Sequence, residues 1–357
     1  MSVSDADASA TPEVAESLRR YRDEIDRIDR DVVSLLNTRA EIALKVGQVK
    51  TGTNAAVFVP DREEQVYANI RAANAGPLPP EALKSIYREV ISSMRALEQH
   101  LTIAFFGPVH TFTHQAALSR FGASSHYVAA RTVAEVVSLA EKGSADYGVV
   151  PVENSTGGMV PDTLDLFVTT ELHVCAEIML PIHHQLMSVG DMLRIRHVYS
   201  HPQSFAQCRG WLAQHLPSAD LIEASSNARA VELARDDSGS AAIGPEIAAR
   251  AYGLTILASN IEDSPMNLTR FLVLGKHMGR RSGTDKTAVL FSIRDKVGAL
   301  RDALDVFERH GINLTKIESR PSRRKVWDYV FFVDFVGHPE DAHVAKALDD
   351  LCDQCLH

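Results

Sequence analysis

Glu153-Asn154-Ser155-Thr156 closes a short apolar run, Tyr147 to Val152, and the pair Gly157-Gly158 follows it. The run reads as a buried strand, the glycines as a turn, and the segment from about Pro161 to Thr169 as a helix. In open α/β sheets, ligands sit beyond the carboxyl ends of strands, where loops and helix N-termini present N–H groups. Three successive amide or hydroxyl side chains there could hold a small oxygen-rich anion. A capped turn without a ligand has the same composition; polar clusters far along the chain favour a site. A different chemistry is offered near the start. Arg39 and Lys50 are eleven residues apart in a stretch of helical periodicity. That spacing returns them to nearly the same face, roughly 16 Å apart along the axis, so both could lean on one ligand between them. Arg22 lies roughly 25 Å before Arg39 and could serve only a site on an antiparallel partner. Solvated charges on an amphipathic helix would look the same.

Composition narrows the classes. The 357 residues suffice for two or three domains, and 45% hydrophobic with 23% charged residues describes an ordinary globular protein. No apolar run reaches the roughly 18 residues of a membrane span. A net charge of −9 argues against nucleic acid as a partner but leaves anionic small molecules open, since they respond to local charge. Residues 1–15, acidic and rich in Ser and Ala at their start, read as a disordered tail. The four cysteines (175, 208, 352 and 355) are too few and scattered for a disulfide framework, which points to a reducing cytoplasm. Cys352 and Cys355 form a lone C-x-x-C without a βαβ context, and His183-His184 would point to opposite faces of a strand. Neither is expected to hold a metal, and no cofactor is expected.

Three kinds of element must position these groups. Residues 16–101 read as three helices, the first with apolar positions Leu18, Tyr21, Ile25, Ile28, Val32, Leu35, Leu36, Ile42 and Val46. It is too long to be covered by the other two, which suggests a dimer. From 102 to 277 strand and helix patterns alternate in two sets of similar size, joined by extended crossings that leave a cleft between two α/β lobes. One helix of the second set is expected over Phe205 to His215. Residues 278–286 read as a linker, and 287–357 follow a β-α-β-β-α order, a ferredoxin-like half-sandwich whose last strand is missing.

Within the helical part, Tyr21-Arg22-Asp23-Glu24-Ile25, then Arg39, Gly47, Lys50 and Pro60-Asp61-Arg62-Glu63, resemble the all-helical chorismate mutase domain. The resemblance implies that Arg39, Lys50 and Arg62 hold two substrate carboxylates and that Arg22 crosses from the partner chain. It further implies that Glu63 contacts a ring hydroxyl, that Val59 and Met94 line the site, and that Glu98 faces the ether oxygen. Rearranging chorismate to prephenate is unimolecular. The site need only clamp a dianion in its reactive conformer and stabilise charge on the breaking ether bond. Glu98 can donate to that oxygen only when protonated, so mutase activity is expected to fall as pH rises.

Four polar clusters sit at strand ends of the middle part: Gly107 to Thr113, Glu153 to Thr156, Ser200-His201-Pro202-Gln203-Ser204, and Asn267-Leu268-Thr269-Arg270-Phe271. In this order they resemble prephenate dehydratase over residues 102–277, the T-R-F after I-E-D being the most specific part. The resemblance implies a two-lobed, periplasmic-binding-protein-like fold in which Thr269 acts on the leaving ring hydroxyl and Arg270 binds a carboxylate. Thr111, Asn154, Ser155, Thr156, Ser200, His201, Gln203 and Phe271 would line the pocket. His110 stands where the family usually has Gly, and Gly157 where it often has Glu or Ser.

Asp295-Lys296-Val297-Gly298-Ala299-Leu300 and Glu318-Ser319-Arg320-Pro321 resemble the ACT regulatory domain. This implies phenylalanine as effector between paired domains, bound by Gly298, Ala299, Leu300, Glu318, Ser319, Arg320 and Pro321. The whole order is similar to the bifunctional chorismate mutase–prephenate dehydratases: chorismate and prephenate as substrates, an isomerase and a lyase in one cytoplasmic homodimer. Two other readings stay open on the residues alone, a mutase with an inactive dehydratase and a non-catalytic two-lobed sensor with a helical dimerisation arm.

Overall fold

The computed structural model describes residues 11–50, 58–322 and 329–356. The expected tail lies outside them up to residue 10, as do the expected end of the first helix near Thr51-Gly52 and the start of a strand at Val326. Residues 12–15 are not tail: α1 runs Pro12–Lys50, with Pro at its first position and Glu13 in its first turn, both favourable at a helix start. Its 39 residues span about 58 Å. Leu36, Arg39, Ala40, Ala43, Gly47 and Lys50 form a half-buried stripe at helical spacing, whereas Leu18, Tyr21, Ile25, Ile28 and Val32 are exposed. Helices α2 (Pro60–Ala73) and α3 (Pro80–Glu98) complete the first domain, and α1 and α2 both pack on α3.

The middle domain opens with β1 (Thr102–Phe106), α4 (Phe112–Phe121), β2 (His126–Ala130), α5 (Val133–Glu141), β3 (Tyr147–Asn154), β4 (Gly158–Met159), α6 (Pro161–Phe167) and β5 (His173–Pro181). The second lobe holds β6 (Gln185–Ser188), β7 (His197–Ser200), α7 (Pro202–Gln207), α8 (Arg209–His215), β8 (Asp220–Glu223), α9 (Asn227–Ala234), β9 (Ser240–Gly244), α10 (Glu246–Tyr252) and β10 (Thr255–Ala258). The helix expected over 205–215 is thus two, broken at Cys208. The chain then returns: β11 (Leu268–Gly275) inserts antiparallel between β3 and β5, giving the order β2-β1-β3-β11-β5, while the second sheet runs β10-β6-β9-β7-β8. The T-R-F segment is therefore the start of a central strand and not a loop. One core, with Phe105, Val149, Phe271 and Val273, packs under α4; the other, with Val150, Val152, Leu272 and Leu274, packs under α5 and α6.

The seam between the first two domains is specific. Ser92 Oγ donates to the Phe121 carbonyl at 2.7 Å, and Arg95 donates to the same oxygen and to Glu63 Oε1, each at 2.6 Å. Gly122, with φ +70°, ends α4 there, and a Cβ on it would stand 2.5 Å from Ser92 Cβ.

The third domain comprises β12 (Lys286–Ser292), α11 (Ala299–Arg309), β13 (Leu314–Pro321), β14 (Tyr329–Val336) and α12 (Ala342–Gln354), with β14 central. Lys286, expected in the linker, already pairs in β12. The position expected to be unfilled is begun by the chain after α12: Cys355 bridges Ile293, and the Leu356 amide donates to the Ser292 carbonyl at 2.8 Å.

Candidate active sites

The end of β3 is shaped by one extra residue. Phe271 pairs with Pro151 and Arg270 with Glu153, so Val152 is a bulge that reverses which face the following side chains take. Asn154 and Thr269 consequently face the same side as a register pair, 2.8 Å apart from Nδ2 to Oγ1. Asn154 Nδ2 also donates to Asn267 Oδ1 at 2.9 Å. Its carbonyl oxygen accepts from the Thr156 hydroxyl at 2.7 Å and from the Thr156 and Gly157 amides at 3.1 and 2.8 Å. Gln207, at the end of α7 in the other lobe, donates to Thr156 Oγ1 at 2.7 Å; its own oxygen accepts from Asn267 at 3.0 Å and meets His184 Nε2 at 2.8 Å. Two lobes therefore meet on a ring of amides and hydroxyls with Thr269, 8% exposed, at its rim.

Sequence reasoning missed Gln207 and His184, and named Asn267 only as part of a polar cluster without a role. Gln207 lies one helical turn after Gln203, so spacing could have found it. Ser155 acts as a staple, donating to the Met266 carbonyl at 2.8 Å and accepting from the Leu268 amide at 2.9 Å. Gln203 approaches Gly157 closely: a Cβ there would sit 2.8 Å from its Nε2, so a side chain at 157 would displace the Gln203 amide. His110 takes φ +65°, the conformation a Gly would supply; its amide donates to His114 Nδ1 at 3.0 Å and its ring meets Tyr252 edge-on at 5.7 Å. Burial pushes the His114 pKa down to about 4, helped by His110, so its ring stays neutral and can accept.

Several expected lining residues do other work. Arg270 points to the opposite face from Thr269, as neighbours on a strand must, and pairs with Glu177 and Asp334. Phe271 is 1% exposed within the core. Ser200, fully buried, turns toward Asn227 Oδ1, which also accepts from Ser204 and from the His201 amide at 3.1 Å each. His201 caps α7 through Nδ1, and Thr111 caps α4. His183 and the His184 amide share Glu262, while the His184 ring turns to Gln207. Among the described residues no group of three His, Cys, Asp or Glu could hold a metal ion.

In the helical domain Lys50 Nζ meets Glu98 Oε2 at 3.1 Å, bringing two expected site residues together across the α1–α3 seam. Gly47 makes room for them: a Cβ there would stand 3.2 Å from Glu98 Cγ. Arg39 lies on the same half-buried stripe, and Met94 is buried on α3. Val59 precedes the first turn of α2. Arg62 and Glu63 are not brought to that seam. Arg62 is exposed and bonded to Gln65 of its own helix at 2.8 Å, while Glu63 is buried under Arg95. Burial raises the Glu63 pKa against the opposing pull of Arg95 and Arg120. Arg22 sits on the exposed part of α1. In the third domain Gly298, with φ +85°, opens α11 ahead of Ala299 and Leu300, and Glu318 to Pro321 end β13. Arg320 is engaged by Asp165 of α6 at 3.2 Å.

Family models match in the same order: chorismate mutase type II over residues 21–99, prephenate dehydratase over 103–279 and the ACT domain over 287–353. A bifunctional chorismate mutase/prephenate dehydratase of Aquifex aeolicus is 48% identical over 341 residues, covering 94% of each chain. The chain belongs to the bifunctional chorismate mutase/prephenate dehydratase family. The Neisseria gonorrhoeae member of this family is 45% identical over 342 residues, 95% of this chain and 94% of its own. Among solved structures, a prephenate dehydratase from Arthrobacter aurescens in complex with L-Phe superposes with a TM-score of 0.67 at 35% identity, covering 71% of this chain and 86% of that one. The three family segments follow the three structural domains, so helical bundle, two-lobed α/β unit and α+β half-sandwich are each as expected.

Proposed function

We propose that the chain rearranges chorismate to prephenate in its helical domain and converts prephenate to phenylpyruvate in the two-lobed domain. The observation that carries the second step is the Asn154–Thr269 pair. Prephenate loses its ring carboxylate as CO2; the electrons left on the ring make it aromatic and expel the ring hydroxyl. Thr269 gives that hydroxyl its proton, water leaves, and Thr269 recovers a proton from solvent. Aromatisation drives the step strongly enough for a weak acid to suffice. Arg39 and Lys50 hold the carboxylates of chorismate, and Glu98 faces its ether oxygen.

Phenylalanine acts as effector on the third domain, held by the α11 start and the β13 end of paired copies. The exposed apolar stripe of α1 supports a homodimer, in which Arg22 enters the partner's mutase site. None of the described helices is long and apolar enough to cross a membrane, and free thiols suit a reducing cytoplasm. Incubation with prephenate, followed by base, tests the assignment through the ultraviolet absorbance of phenylpyruvate; a chain that binds prephenate without producing that absorbance overturns it.

A further inference from the structure

Two consecutive cross-strand pairs join β3 to β11, and they face opposite ways. Asn154 stands opposite Thr269 on the interlobe side, and Glu153 stands opposite Arg270 on the other. The third domain answers with a register pair of its own, Lys316 on β13 opposite Asp334 on β14. Between the sheets the charges are complementary. Lys316 Nζ is 2.6 Å from Glu153 Oε2, and Arg270 Nη1 is 2.5 Å from Asp334 Oδ2. Two cations and two anions thus close a square, each side being either a strand pairing or an ion pair. Arg270 and Asp334 are 12% and 9% exposed at their side chains, so their contact is poorly screened by water.

The square has something to hold. β1 pairs with β3 only from Tyr147 to Val149, so the end of β3 rests on β11 and the two-residue β4. The Val152 bulge falls in that same stretch and interrupts the regular ladder. One peptide separates Glu153 from Asn154, and one separates Arg270 from Thr269. Any rotation of either strand end that moves a charge off its partner also moves a member of the Asn154–Thr269 pair.

We infer that Lys316 and Asp334 are positioning residues for the dehydratase reaction: from the third domain they hold Glu153 and Arg270, and so set Asn154 against Thr269. The inference rests on Thr269 being the proton donor. Displacing a catalytic group by about 1 Å costs up to about 100-fold in rate. In the full-length protein, Lys316→Glu and Glu153→Lys are each expected to lower dehydratase kcat by about 10- to 100-fold with KM changed less than about threefold. The mutase rate, measured in the same preparation, stays at wild type. Combining the two restores the Glu–Lys pair in reverse and should return kcat to within about threefold of wild type.

Single variants at full rate, or a double variant no better than the worse single, overturn the inference. Should Lys316→Glu lose both activities by misfolding, the nearly isosteric Asp334→Asn decides: a lowered dehydratase kcat with full mutase rate supports positioning, an unchanged kcat refutes it. Thr269→Ala separates the proton-donor role of Thr269 from the positioning role of Lys316 and Asp334. If it keeps the wild-type rate, the proton-donor reading itself fails; if it is inactive while the Lys316 and Asp334 variants run at full rate, only the positioning role fails.

Discussion

Asn154 donates to Thr269 and does not accept from it. The carbonyl oxygen of Asn154 is already occupied by the Thr156 hydroxyl and by the Thr156 and Gly157 amides, which leaves Nδ2 facing Thr269 Oγ1 at 2.8 Å. A hydroxyl that accepts from an amide keeps its own hydrogen for another acceptor. Thr269→Ala is therefore expected to abolish most dehydratase turnover while Thr269→Ser keeps a measurable part. Asn154→Asp, which replaces the donor by an acceptor, should cost about 100-fold in kcat. A coupled assay of both half-reactions checks this, with the mutase rate as internal control.

The neutral His114 gives stability a pH dependence of known sign. Its folded pKa, about 4, lies below the value of 6.5 it has when exposed, because burial disfavours the imidazolium. The fold therefore keeps this contribution above pH 6.5 and loses it as pH falls from 6.5 toward 4, by up to about 3 kcal/mol. Thermal melting followed across that window should show a steep acid decline in the wild type and a shallower one in His114→Gln, whose starting stability is lower.

The Gln203 amide occupies the space beside Gly157 that a side chain there would take. Gly157→Ser would bring a Cβ to within 2.8 Å of the Gln203 amide and push it back. Prephenate KM should rise by roughly tenfold or less, in line with the loss of one binding contact, and kcat should change less. Steady-state kinetics resolve the two.

The Lys50–Glu98 contact bears on the mutase. In Glu98→Gln the ion pair with Lys50 is lost and the ether oxygen would meet an amide donor, so mutase kcat should change by about tenfold or more. Single-turnover rates of both proteins test it, and an unchanged kcat in the Gln variant would remove Glu98 from the reacting centre.

Periodicity and turn chemistry made most elements legible: Pro60 and Pro80 mark helix starts, and the strand from Tyr147 and the helix from Pro161 begin where the pattern put them, although the strand runs two residues past the expected Val152, to Asn154. What could not be read was which way individual side chains point once a ladder slips. The Val152 bulge adds one residue to β3 and nothing in the local composition announces it. The resemblance put Arg270 on a substrate carboxylate beside Thr269, but a strand separates neighbours onto opposite faces; of the two carboxylates that meet it, Glu177 lies on β5 and Asp334 in a domain 64 residues further on. Glu63 failed for a related reason. Its partner Arg95 lies on another helix, at a seam with a domain whose docking no single-helix pattern encodes.

That seam makes the helical arm something other than a detachable appendage. Arg95 spends its guanidinium on a carboxylate of α2 and on the last carbonyl of α4, so a fragment cut at the β1 junction would strip it of half its bonds and uncover Phe58 and Phe121 together. Excised genes for either half should thus yield products that aggregate or melt early unless Ser92, Arg95 and Phe58 are redesigned for water. On that outcome, fusion contributes to solubility as well as to order along the chain.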